Sequence, residues 1–358
     1  GVGQAPARTA ALLAGLPAET RCMSVNKVCA SGAKAIALGA QSIKVRDSNV
    51  VFAGGMESMS NVPHYLPRIH ATAKPGDFSV RDGLLLDGLL DGTVKSDAGS
   101  FIHMGEFAEK TANKYGLSRD QQDSYAKRSY EKALKACKEG SFESELIAQD
   151  MNFDGRYPAS GASVGDPLQV MCRVDTSRDE QLSKFRPEKM SALRPAFRRD
   201  GEGTITAANA STLADGAACV LLMGGELAAK SSAQPLARVL ATADAELPPE
   251  QFGEAPAVAI RTALSRARLN VTDIDLWEIH EAFAVVALAN GVCELGIELE
   301  KLNIQGGAIS LGHPLGASGA RIVVTLVHSL RRCCKRLGVA ATCNGGGGAT
   351  ALVIEALF

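Results

Sequence analysis

No stretch of about 18 uncharged apolar residues occurs in this sequence, and an α-helix needs roughly that length to cross a bilayer, which argues against a membrane span. There is no Lys/Arg cluster of the kind that tracks a phosphate backbone. The 38 basic and 39 acidic residues leave a formal charge of −1 and a pI of about 6.7, which argues against a nucleic-acid partner. C-x-x-C spacing is absent from the nine cysteines, and the only close pair is Cys333-Cys334. That scatter reads as reduced thiols, neither a disulfide framework nor a zinc site. The chain also opens at Gly1 without a methionine or a targeting segment, so compartment is not visible from its first residues. What is present is 358 residues, 46% of them hydrophobic, enough to bury a large core in two or three domains.

The most informative stretch runs from Ser24 to Ile36, where a strand-like segment gives way to a small-residue helix at Cys29. A cysteine at a helix N-terminus faces free N–H groups and the positive end of the helix dipole, which favour the thiolate and lower its pKa. Ala30, Ser31, Gly32 and Ala33 leave room for close approach by a backbone or a substrate. Free cysteines are more often small buried hydrophobes, and this stretch alone leaves both readings open. A second copy shifts the balance: Ala317-Ser318-Gly319-Ala320-Arg321-Ile322-Val323 repeats Ala30 to Ile36 almost position for position, preceded by Gly312-His313-Pro314. One copy presents a cysteine before its helix and the other a histidine, so two similar halves are expected, with their central helices meeting at one site.

Along the chain, Thr9–Leu16 reads as a short helix, Arg21–Val25 as a strand, Ala30–Val45 as the first central helix and residues 49–55 as a buried strand, suggesting a parallel α/β layer. From about Ser60 to Thr206 prolines and Asp-Gly pairs break the pattern. Within that stretch Ser118-Arg119-Asp120-Gln121 is a capping box, opening a helix to about Cys137 with Tyr130, Ala133 and Cys137 on its core face. Strand signals return at Thr204–Thr206, Cys219–Met223, Leu236–Thr242, Asp275–Ile279, Gly338–Cys343 and Thr350–Glu355, with a helix over Glu281–Cys293.

Six segments in order, Asn26–Gly32, Gly54–Met59, Ile102–Gly105, Thr206–Ser211, Gly306–Pro314 and Cys343–Gly348, make the chain resemble the thiolases, most closely the short-chain acetyl-CoA acetyltransferases of mitochondrial type. The resemblance implies an α/β thiolase-like fold with two βαβαβ-type halves, residues 1–59 with 207–233 and residues 234–358, and an inserted loop domain at 60–206. Gly1–Arg8 matches an internal segment of the family, so the N-terminal part of the first half is expected to be missing.

For activity, the resemblance implies interconversion of two acetyl-CoA with acetoacetyl-CoA and CoA through an acetyl-cysteine. Cys29 stands at the nucleophile's position, and His313 at that of the histidine that activates it and donates to the thioester oxygen. Cys343 matches the cysteine that takes and returns the α-proton. The backbone N–H groups of Cys29 and Gly345 would form one oxyanion hole. His280, in His280-Glu281-Ala282-Phe283, replaces the usual asparagine that holds a water in the other. His103 and Met104 match residues bordering the acyl and pantetheine pocket, Ser211 one that contacts pantetheine, and Phe252 a pocket-lining phenylalanine.

The glycine run Gly345–Gly348 has no following Lys-Ser/Thr and is a poor phosphate loop. The family's potassium site uses a tyrosine where Met171 or Cys172 falls here. With only the carbonyls of Ala207, Ala208, Ala210 and Ile309 remaining, and sulfur a poor ligand for a hard cation, no metal or K⁺ dependence is expected. CoA thioesters are the expected substrates, with no further cofactor. Two other readings stay open: a longer-chain 3-ketoacyl-CoA thiolase, which His-Glu-Ala-Phe favours and His103 opposes, and a catalytically silent acyl-CoA-binding protein. A homo-oligomer, dimer or dimer of dimers, and a mitochondrial or else cytoplasmic location follow from resemblance alone.

Overall fold

The computed structural model describes residues 1–66, 77, 79–96, 99–147, 179–198 and 200–358. In the second half, four strands form one sheet in the order Ala237–Glu246, Gly348–Ala356, Leu337–Asn344, Leu276–Ile279. The first three are antiparallel neighbours, and only Leu276–Ile279 runs parallel to Leu337–Asn344. In the first half, Val50–Ser58 pairs antiparallel with Asp215–Met223. The layer is therefore mixed, not parallel as the strand–helix–strand pattern suggested. Strand Gly348–Ala356 is buried at every position, which is why apolar residues fall on both of its faces without alternation.

The central helices Ser31–Lys44 and Leu315–Arg332 pack against each other between the sheets. Ala33, Ile36 and Ala53 of the first half share one apolar cluster with Ala320, Ile322, Val323, Leu326, Leu352 and Ile354 of the second. A Cβ on Gly32 would lie 2.7 Å from the Ala320 nitrogen, and Gly55 admits the other half in the same way, because a Cβ there would overlap the Gly316 carbonyl. The small residues of the repeat thus let two backbones touch.

Several local expectations are corrected. The first helix is Pro6–Leu13, with Pro6 in the first turn where no N–H is needed. Arg21–Val25 pairs with no strand among the described residues. Thr204–Thr206 is not a strand either, because the N–H groups of Thr204 and Ile205 are taken by the Glu109 carboxylate at 2.9–3.0 Å. The capping box of Ser118 and Gln121 forms in both directions and opens helix Arg119–Lys138, but Cys137 is exposed and Ala136 takes the core position. The helix expected from Glu281 begins at Ala284 and continues as a π-helical turn over Leu288–Glu294. Residues 280–283 stay outside it, which frees His280 to face inward. Met171 and Cys172 lie outside the described residues.

Candidate active site

Cys29 lies in a 3₁₀ turn, Val28–Ala30, one step before helix Ser31–Lys44. Val28 has φ = 48°, a left-handed conformation that a β-branched residue adopts only under constraint. The constraint is visible: Asn26 Oδ1 accepts from the Val28 N–H at 2.9 Å, and the Ser31 hydroxyl donates to the Val28 carbonyl at 2.6 Å. This turn projects the Cys29 sulfur toward the second half. There, His313 follows Gly312, whose φ of 95° suits glycine, and its N–H donates to the Thr212 carbonyl at 2.8 Å.

His313 Nε2 is 3.3 Å from Cys29 Sγ, although 284 positions separate them in the chain. His280 Nε2 lies 3.2 Å from the same His313 nitrogen, with the two rings 4.1 Å apart. On its other side, His313 Nδ1 is 2.6 Å from the Ser318 hydroxyl, which donates its proton to the Pro314 carbonyl at 2.9 Å. Ser318 therefore accepts from Nδ1–H, and Nε2 carries the lone pair. That lone pair faces the Cys29 thiol and an Nε2–H of His280. His280 Nδ1 is then left as an acceptor, buried and with no hydrogen-bond partner among the described residues.

Burial dominates the electrostatics. It pushes the Cys29 thiol up to about 12, against the lowering effect of the Gly345 and Cys29 N–H groups and with Glu57 adding to the rise. The expectation of a thiolate stabilised at a helix N-terminus is overturned, because desolvation outweighs two N–H donors. Burial, reinforced by Arg321, brings His313 down to about 3, and burial together with His313 and Arg321 holds His280 well below the usual imidazole value. Cys343, at the end of strand Leu337–Asn344, is raised well above a free thiol by burial and then by the neighbouring Cys29. The resting site is a neutral set of two thiols and two imidazoles.

The backbone N–H groups of Gly345 and Cys29 lie by the Cys29 sulfur and lower its pKa. Gly345 sits between Met104 and Val28, whose side-chain atoms would lie 3.7 and 3.8 Å from a Cβ built on it. His103 Nδ1 caps helix Met104–Tyr115 by accepting from the Gly105 N–H at 3.0 Å, and its ring packs on Phe197 at 4.6 Å. Phe197 and Phe252 both meet Phe283 edge-on, so His103 and Phe252 belong to one aromatic wall. Ser211 is tied to the His280 loop through its N–H, which donates to the Ala282 carbonyl at 3.0 Å.

Two family models match, one described as the N-terminal domain of thiolase over residues 1–226 and one as its C-terminal domain over residues 233–356. The chain belongs to the thiolase family. This thiolase is 47% identical to acetyl-CoA acetyltransferase 2 of Arabidopsis thaliana over 99% of the chain and 83% of that relative. It is 46% identical to the mitochondrial acetyl-CoA acetyltransferase of Mus musculus over 100% of the chain and 78% of that relative. The cytosolic acetyl-CoA acetyltransferase ERG10 of Gibberella zeae is 44% identical, with coverage of 100% and 84%. The crystal structure of Acat5 thiolase from Ascaris suum in complex with coenzyme A superposes with a TM-score of 0.87 and 44% identity, covering 100% of this chain and 85% of that one.

Sequence reasoning passed over Ser318, Glu57 and Glu281. Ser318 was legible as a repeat position, and its place five residues after His313 was the available signal. Glu57 accepts from the Gly316 N–H at 3.0 Å, at the start of the second central helix. Glu281 is a buried carboxylate satisfied by Tyr125, Ser129, Asn303 and the Ile309 N–H, which fixes the loop carrying His280 against helix Arg119–Lys138.

Proposed function

We infer that this thiolase is an acetyl-CoA C-acetyltransferase, interconverting two acetyl-CoA with acetoacetyl-CoA and CoA. The observation that carries the reading is the 3.3 Å approach of His313 Nε2 to Cys29 Sγ, within a chain 44–47% identical to acetyl-CoA acetyltransferases.

In the first half-reaction Cys29 Sγ bonds to the acetyl carbonyl carbon while its proton passes to His313 Nε2. The oxyanion that forms faces the N–H groups of Cys29 and Gly345, the carbon–sulfur bond to CoA breaks, and the CoA sulfur takes the proton of Cys343, which leaves Cys343 as a thiolate and His313 with a proton on each ring nitrogen. Because the resting thiol is neutral, the thiolate forms only as the thioester arrives. In the second half-reaction the Cys343 thiolate takes an α-proton from another acetyl-CoA, whose enolate oxygen accepts from His313 Nε2–H and from a water bound by His280. The carbanion attacks the acetyl-Cys29 carbonyl, and the Cys29 sulfur leaves and regains its proton from His313 Nε2, while Cys343 keeps the α-proton and is a thiol again. His103, Met104, Ser211 and Phe252 border the acyl and pantetheine channel.

The division into residues 1–59 with 207–233, a loop domain at 60–206, and residues 234–358 accompanies this reading, as do independence from K⁺, a homo-oligomeric state and a mitochondrial location. Relatives of both mitochondrial and cytosolic designation are similar to this chain, and no helix among the described residues is long and apolar enough to cross a membrane. The deciding experiment incubates the protein with acetyl-CoA, quenches in acid and locates the acetyl group by peptide mass spectrometry. An adduct on Cys29, absent from Cys29→Ala, is expected. No adduct with a folded protein would refute the reading and favour a silent acyl-CoA-binding role.

A further inference from the structure

Asp91 lies in strand Leu90–Lys95, far from the catalytic residues in sequence, and is only 3% exposed. Its Oδ1 accepts from the Thr93 N–H at 2.8 Å, the Thr93 hydroxyl at 2.5 Å and the Val94 N–H at 3.1 Å. Its Oδ2 accepts from the Gly346 N–H at 3.1 Å, across 255 positions of chain. The peptide between Gly345 and Gly346 is held at its other end as well, because Asn344 Nδ2 donates to the Gly345 carbonyl at 2.8 Å. No side chain on Gly345, Gly346 or Gly347 resists rotation, and the φ values of 87° and 92° at Gly346 and Gly347 lie where glycine alone is comfortable. Without an external hold this turn has several conformations within reach. Burial pushes the Asp91 carboxyl up, but hydrogen bonds from Thr93, Val94 and Gly346 outweigh it and keep the group below the usual carboxylate value, so it is an acceptor at neutral pH.

We propose that Asp91 is a positioning residue: by gripping the Gly346 N–H from strand Leu90–Lys95, it keeps the Gly345 N–H aimed at the Cys29 sulfur and at the oxyanion that forms beside it. The oxyanion part rests on the acetyltransferase reading, whereas the aim at the sulfur does not. Asp91→Asn is nearly isosteric. Its amide oxygen satisfies the Thr93 and Val94 donors, and the –NH₂ then opposes the Gly346 N–H, donor against donor.

The test has two arms on full-length protein. In the first, iodoacetamide alkylation of Cys29 is followed by peptide mass spectrometry across pH. Loss of one donor to the sulfur raises the thiolate's cost, so Asp91→Asn should alkylate at least about threefold more slowly at a given pH. In the second, single-turnover acetylation by acetyl-CoA should slow by about tenfold or more, since one misaimed oxyanion donor removes transition-state stabilisation, with the KM for acetyl-CoA within about twofold of wild type. Alkylation at the wild-type rate, or a loss confined to KM, overturns the proposal. Slow alkylation in Asp91→Asn with no acetylation even in wild type would sustain the positioning role and sink the acetyltransferase reading. If Asp91→Asn does not fold, Thr93→Val removes one bond that orients the carboxylate. A smaller slowing of both rates supports the proposal, and unchanged rates overturn it.

Discussion

Gly32 and Gly319, the third residues of the two repeated segments, each press against the other's helix. A Cβ on Gly32 would lie 2.7 Å from the Ala320 nitrogen, and one on Gly319 would lie 2.6 Å from the Ala33 nitrogen. The near-equality of these distances is the local two-fold relation of the halves, and the contact fixes the separation of the turns that carry Cys29 and His313.

Because the atoms met are backbone, Gly32→Ala and Gly319→Ala cannot be relieved by a rotamer change. Each should destabilise the protein by about 1–3 kcal/mol through overpacking, read as a lower midpoint in urea. Each should also slow Cys29 acetylation more than a surface Gly225→Ala control, where a Cβ meets nothing within 4 Å.

Ser318→Ala removes the acceptor that holds the proton on His313 Nδ1. The ring is then free to place its proton on Nε2, the atom that must accept from Cys29. Acetylation should fall by about 10²-fold, within the range for a mispositioned general base, while Ser318→Thr, which keeps the hydroxyl, should recover most of the rate. Equal rates for Ala and wild type would exclude the tautomer assignment.

Protonation of His313 in the unfolded chain near its ordinary pKa, against about 3 when folded, gives stability a direction with pH. Between roughly pH 6.5 and 3 the unfolded state binds one more proton at this site, so its contribution is full above about 6.5 and is lost as pH falls. From pH 7 to pH 5 this one buried group should cost about 2 kcal/mol. His313→Asn removes that term, so its stability relative to wild type should improve by about that amount over the same interval in urea denaturation. A constant difference at pH 7 and pH 5 would contradict the depressed pKa.

His280→Leu removes the donor beside His313 while keeping much of the ring's volume, and His280→Asn keeps a donor. Condensation should fall by about 10²-fold in the leucine variant and far less in the asparagine variant. Acetylation of Cys29 should change little in either, because the enolate hole acts in the second half-reaction. Equal loss of both half-reactions would place His280 in the wrong role.

Activity should be unchanged when K⁺ is replaced by Na⁺ at equal ionic strength. Marked stimulation by K⁺ would mean that a ligand outside the carbonyls of Ala207, Ala208, Ala210 and Ile309 completes a cation site.

The repeat of Ala30–Ile36 in Ala317–Val323, the capping box at Ser118, the strands of the second half and the family were all legible in the sequence, because these are signals of residue type and short spacing. The sequence also put Cys29, His313, Cys343 and Gly345 forward as one set through resemblance. Tertiary packing set the mixed strand order, since pairing direction depends on which strands become neighbours. It likewise decided the neutral resting state of the site, since desolvation is a property of the surroundings and reverses what a helix N-terminus alone would do to Cys29. The parts played by Glu57 and Asp91 were closed to local reading for the same reason. A hydroxyl or carboxylate acquires its meaning from the donor it meets, and for Asp91 that donor is 255 positions away.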